Sequence, residues 1–129
     1  MTEQSKQLVT GIYEAFGRGD LDTVLNGLAD DVDWNLPGPA PYAGVRQGRG
    51  GVREFFMELI MAGKIEMFEV DAVIAEGARV VVLGRERCTA SKTGRCFEQH
   101  WAHAYTVHEG KVATVHLYED THAQALAFA

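Results

Sequence analysis

Apolar positions in the first 17 residues recur at helical spacing. Leu8, Ile12, Ala15 and Phe16 form a stripe that Val9 and Tyr13 widen, so the pattern predicts a helix from Glu3 to Gly17. Gly17-Arg18-Gly19 ends it, because glycine adopts the left-handed C-terminal conformation without a side-chain penalty. Asp20 is placed to cap a second helix through Leu28, whose apolar face is Leu21, Val24, Leu25 and Leu28. From Asp30 to Leu36 polar and apolar residues alternate, as in a half-buried strand, until Pro37, Pro39 and Pro41 impose a restrained loop. A third amphipathic helix is expected from about Val52 to Ala62, with Phe55, Phe56, Leu59 and Ile60 on its apolar face.

The period then changes. Ile65 to Ala75, Arg79 to Thr89, Arg95 to Val107 and Val112 to Tyr118 read as strands, separated by turns at Glu76-Gly77, Lys92-Thr93-Gly94 and Glu109-Gly110-Lys111. Helices followed by consecutive hairpins indicate one α+β domain with a mainly antiparallel sheet. Alternation puts Phe97, Gln99, Trp101, His103, Tyr105 and Val107 on one face, and Glu98, His100, Ala102, Ala104 and Thr106 on the other. His100 and His103 therefore cannot both ligate a metal from one side of a regular strand.

A length of 129 residues suits a single domain, and 47% hydrophobic against 23% charged residues is the balance of an ordinary soluble globular protein. The net charge of -6 and the absence of a Lys/Arg stripe argue against nucleic-acid binding. No apolar run approaches a membrane span and the first residues do not resemble a signal peptide, so a cytoplasmic protein with no membrane partner is expected. The glycines at 48, 50 and 51 match no phosphate-binding fingerprint, and no nicotinamide, flavin or metal is required. Asp30, Asp31 and Asp33 do not fit a calcium loop. Cys88 and Cys96 are expected to be free thiols, with a hairpin disulfide as the alternative, and Glu98 and Arg85 are positioned to pair across strands.

Two residues carry candidate acid/base chemistry. His103 titrates near neutrality and stands beside aromatic side chains, although a hydrogen-bonded sheet histidine is the plainer reading. Asp120 lies just beyond the last strand, where it is placed to orient a histidine or act directly. Trp34, Tyr42, Phe56, Trp101 and Tyr118 are the candidate ligand walls, with core packing as their alternative role. His116 and Tyr118 share a face that is expected to meet His103 or Trp101 across paired strands.

The order of several segments adds to this. Tyr13-Glu-Ala-Phe-Gly-Arg-Gly-Asp20, Leu28-Ala-Asp-Asp-Val-Asp-Trp34, Pro41-Tyr-Ala-Gly44, Gly51-Val-Arg-Glu-Phe-Phe56, Trp101-Ala-His-Ala-Tyr-Thr-Val-His-Glu-Gly-Lys-Val112 and Tyr118-Glu-Asp-Thr121 together resemble the SnoaL-like, ketosteroid-isomerase-related branch of the NTF2-like superfamily. The resemblance implies a cone of three helices on a strongly curved sheet, an apolar pocket, and a homodimer formed through the sheet. It also implies an apolar or aromatic small-molecule ligand and, in an enzyme, cofactor-independent isomerization or cyclization with His103 or Asp120 as base. Noncatalytic binding is another function such relatives have, and a structural or protein-interaction module is the third alternative for this chain. Alignment on Gly19-Asp20 and Ala29-Asp30-Asp31 puts Ile12 and Leu36 where the steroid isomerases carry their tyrosine and base, and Ala102, beside His103, near their later acid. The resemblance thus extends to the fold without that catalytic set.

Overall fold

The computed structural model describes residues 1–129, and it forms a six-stranded mixed sheet with four helices. Helix α1 (Thr2–Gly17) buries Val9, Ile12 and Ala15. Asp20 caps α2 (Leu21–Asn26) by accepting from the Thr23 amide at 3.1 Å and the Thr23 hydroxyl at 2.6 Å. This helix stops before Leu28 because Leu28 already opens β1 (Leu28–Leu36), fully buried and in register with Val112.

Two elements were absent from the sequence expectation. Strand β2 (Gly44–Gln47) pairs antiparallel with β1, and its four residues show no buried alternation that would mark it. It leads directly into α3 (Gly48–Ala62), which begins earlier than expected because its glycines sit inside the first turn. The second is α4 (Thr121–Phe128), so the helix count rises from three to four. Its Ala-rich segment has little amphipathic periodicity, but Asp120 accepts from the Ala123 amide at 2.9 Å and supplies the N-cap.

Strands β3 (Gly63–Glu76), β4 (Arg79–Ala90), β5 (Cys96–His108) and β6 (Lys111–Tyr118) match the four expected strands to within two residues. The sheet order is β2-β1-β6-β5-β4-β3, antiparallel throughout except where β1 runs parallel to β6. Register shifts between Ile65 and Met67 and between Val70 and Ala72 interrupt β3, and such bulges bend a strand and help the sheet curl. A core including Val9, Leu25, Val52, Phe55, Val82, Tyr105 and Leu117 fills the space between α1, α3 and the concave sheet face.

Strand register corrects two expectations and bears out a third, that the cysteines are free. Tyr118 pairs with Ala102 and His116 with Ala104, which puts both on the outer sheet face, away from His103 and Trp101. Glu98 pairs with Arg87 at 2.7 Å, whereas Arg85 binds Glu69 and Asp71 on β3. Cys88 lies opposite Phe97 and Cys96 opposite Thr89, so alternation turns the buried Cys88 and the exposed Cys96 to opposite faces, and both are free thiols. No helix is long and apolar enough to cross a membrane.

Candidate functional site

The inward row of β5 supplies Gln99, Trp101, His103 and Tyr105, all buried. Trp101 stacks on His103 with ring centroids 4.1 Å apart and on Phe68 at 4.9 Å. Gly84, directly opposite Trp101 on β4, makes that arrangement possible: a Cβ there would collide with the Trp101 ring and with the Glu69 carbonyl. From α1, Tyr13 reaches across the core. Its Oη lies 2.5 Å from His103 Nδ1 and 2.6 Å from Tyr105 Oη. Burial pushes the pKa of both phenols upward, so they remain protonated hydrogen-bond donors at neutral pH.

The other side of His103 faces an acid. Nε2 stands 3.4 Å from Glu119 Oε2, near enough for electrostatic attraction but without good hydrogen-bond geometry. Burial lowers the His103 pKa and outweighs the opposing influence of Glu119, leaving a neutral imidazole. Glu119 follows β6, and its Oε1 accepts from the Gln124 amide at 2.6 Å and the Gln99 amide at 3.3 Å. Gln99 Nε2 also donates to Glu86 Oε1 at 2.6 Å, while Gln99 Oε1 accepts from the Asp120 N–H at 2.9 Å. Burial, reinforced by repulsion from Glu119, pushes the Glu86 carboxyl up to about 7, against the stabilising Gln99 hydrogen bond.

Glu86, Glu119 and His103 open onto one cavity, together with Tyr13 and Tyr105; the rest of its wall includes Phe16, Trp34, Tyr42, Phe55, Phe56 and Phe68. Thirteen of its 16 wall residues are hydrophobic, so the three ionisable side chains form a polar spot in an apolar chamber. The cavity volume of ≈ 70 Å³ exceeds the ~10–15 Å³ that one water needs. The wall also borders a groove along Leu21, Ile60 and Lys64 that shares Phe16, Val24, Phe56, Leu59 and Ile65 with the cavity.

Of the expected residues, His103, Trp34, Tyr42 and Phe56 come together on this cavity. Trp101 lies behind His103 and Phe68 as a buried stacking partner. Tyr118 is 55% exposed and rests against His116 on the outer sheet face. The Asp120 carboxylate is engaged in capping α4, and only its backbone N–H joins the network. Sequence reasoning missed Glu86, Gln99, Tyr105 and Glu119 as site residues, and had Tyr13 in the helix stripe and, by resemblance, one residue out of phase with the steroid isomerases' tyrosine. Glu86 continues the inward row Val80, Val82, Gly84, and Glu119 continues Val115, Leu117; an acid closing an apolar row was the available signal.

Residues 9–115 match the SnoaL-like domain family. An NTF2-like protein from Burkholderia xenovorans LB400 is 32% identical, with a TM-score of 0.92 over 100% of this chain and 98% of that one. An NTF2-like protein of unknown function from Burkholderia pseudomallei K96243 is 31% identical, with a TM-score of 0.86 over 98% of each chain. TerC, co-crystallised with polyporic acid, shares the fold at 23% identity, with a TM-score of 0.83 over 97% of this chain and 98% of TerC. No curated protein matches the sequence. A match over most of the chain, joined to a curled sheet enclosing an aromatic cavity, makes this protein a member of the SnoaL-like family with the NTF2-like fold.

Proposed function

We propose that the protein binds an apolar, carbonyl-bearing small molecule in this cavity and transfers a proton next to the carbonyl, in an isomerization or cyclization. The observation that carries the reading is the convergence of Glu86, Glu119 and His103 inside a chamber otherwise walled by hydrophobic side chains. Burying ionisable groups costs several kcal/mol each, and such groups in a cleft mark sites of chemistry more than of stability.

Glu86 is the base. Its Oε1 is held by Gln99 while Oε2 has no protein hydrogen bond, and a pKa of about 7 divides it between base and acid near neutrality. Glu86 Oε2 takes the α-proton, the C–H electron pair becomes the enolate double bond, and negative charge develops on the substrate oxygen. Tyr13 meets that oxygen. The neutral His103 ring keeps its proton on Nε2, facing Glu119, so the Tyr13 hydroxyl accepts from Tyr105 and donates to His103 Nδ1 until the substrate oxygen takes over that hydrogen bond. Protonated Glu86 then returns the proton to another carbon, giving isomerization, or the enolate carbon attacks a second carbonyl and closes a ring, the attacked C=O electron pair going to its oxygen and the Glu86 proton neutralising that alkoxide. His103 thereby positions the Tyr13 hydroxyl instead of acting as the expected base, and Asp120 and Tyr118 stand outside the reaction. Leu83, Ala102 and Tyr118 align across the outer sheet face, and their exposure supports that face as the surface of the expected homodimer.

Exchange of the α-protons of 2-tetralone in D₂O, followed by proton NMR, tests the reading. Wild type is expected to exceed the buffer rate, with Glu86→Gln and Tyr13→Phe each losing about 10²-fold or more. Full exchange by both folded variants would remove these roles. Binding without exchange would leave a noncatalytic ligand-binding protein.

A further inference from the structure

We propose that the cavity is a filter for ligand charge: its ligand meets the Glu86 and Glu119 end uncharged, and the anionic counterpart of the same ring system is turned away. This rests on reading the cavity as a ligand site, and it adds the substrate's charge class, a neutral cyclic ketone in place of a carboxylate or phosphate.

The cavity wall has two carboxylates and neither lysine nor arginine. Gln99 fixes those carboxylates together. Because Gln99 Oε1 is held by the Asp120 N–H, the amide cannot be flipped, and its NH₂ must face Glu86 and Glu119, at 2.6 and 3.3 Å. The further donor to Glu119 is the neutral Gln124 amide, and the nearby imidazole of His103 is also uncharged. No cation compensates the pair from elsewhere. Arg85 and Arg87 alternate away from Glu86 onto the exposed sheet face and are occupied by Glu69, Asp71 and Glu98. Lys64, in the outer groove, is exposed and stands 3.8 Å from Glu66.

A ligand anion pressed against this end joins like charges where little water screens them. A ketone meets no such repulsion and still finds the Tyr13 hydroxyl. Glu86 Oε2 is the atom that senses the difference, since it alone of the pair's four oxygens has neither a protein hydrogen bond nor the His103 ring beside it.

Calorimetric titration of the full chain at pH 9, where Glu86 is ionised, with three similarly shaped probes tests this: 2-tetralone, tetralin-2-carboxylate and 2-aminotetralin. The carboxylate is expected to bind on the order of 100-fold more weakly than the ketone. Glu86→Gln should narrow that gap to about tenfold or less while weakening the amine. These opposite shifts separate charge from general loosening of the cavity, and Glu119→Gln provides the same comparison if the first variant does not fold. Equal affinity for carboxylate and ketone, an unchanged gap in the folded variants, or no binding of any probe at millimolar concentration overturns the proposal. Charge preference without α-proton exchange leaves the filter standing and removes the catalytic reading; exchange without charge preference does the reverse.

Discussion

Replacing Glu86 by Gln keeps the shape and the acceptor for Gln99 but removes a titration that the folded state holds far from its ordinary range. A rise from 4.5 to about 7, at ~1.4 kcal/mol per pH unit, amounts to roughly 3 kcal/mol. Its sign follows from which state keeps the proton. Below pH 4.5 Glu86 is protonated in both states; between 4.5 and about 7 the unfolded chain releases the proton first, so wild type loses stability as pH rises; above 7 the loss is complete. His103 works in the opposite direction, since its lowered pKa adds stability as pH rises toward 6.5, but it is present in both proteins and largely cancels. Urea unfolding of wild type and Glu86→Gln from pH 4.5 to 8.5 measures the difference. The variant should gain about 2–3 kcal/mol relative to wild type across that range, levelling off above pH 7.5. A difference that stays constant with pH, or that shrinks, would refute the assignment of Glu86 as a buried carboxyl reluctant to ionise.

Three further outcomes follow from named contacts. Asp120→Ala removes the α4 cap and should cost about 1 kcal/mol in urea unfolding, while tetralone exchange per folded molecule stays near wild type because the carboxylate lies outside the cavity. Gly84→Ala drives a methyl into the Trp101 ring and the Glu69 carbonyl, and should cost about 3 kcal/mol or more by the same measurement. Tyr118→Ser removes an exposed aromatic ring from the outer sheet face, so it should leave tetralone exchange unchanged and shift the sedimentation profile toward monomer.

Periodicity makes most of this fold legible. The helix stripe of Leu8, Ile12 and Phe16, the row Phe97 to Tyr105, and the glycine-bearing turns locate five of the main elements almost to the residue. The short β2 strand is hidden because neither face is buried, and α4 because alanines carry little hydrophobic contrast. Site residues are harder for a physical reason. Alternation puts His103 on one face with Phe97, Trp101 and Tyr105, but only the structure shows that this face points inward, that His103 sits beside Leu117, that Tyr118 turns outward, and that Glu119 returns to the cavity. Asp120 is the more conspicuous acid in the sequence, yet its position before a helix fixes its carboxylate as a cap, and its neighbour Glu119 enters the polar network. Tyr13 looks like one more apolar position until the tertiary packing brings it 90 residues along the chain to His103.

The most direct test of the central claim is a crystal structure of the protein with 2-tetralone bound. The account predicts the ketone oxygen within about 3 Å of Tyr13 Oη and an α-carbon within about 3.5 Å of Glu86 Oε2. A ligand lodged in the outer groove along Leu21, Ile60 and Lys64, or one whose carbonyl points away from Tyr13 with Glu86 untouched, would contradict it.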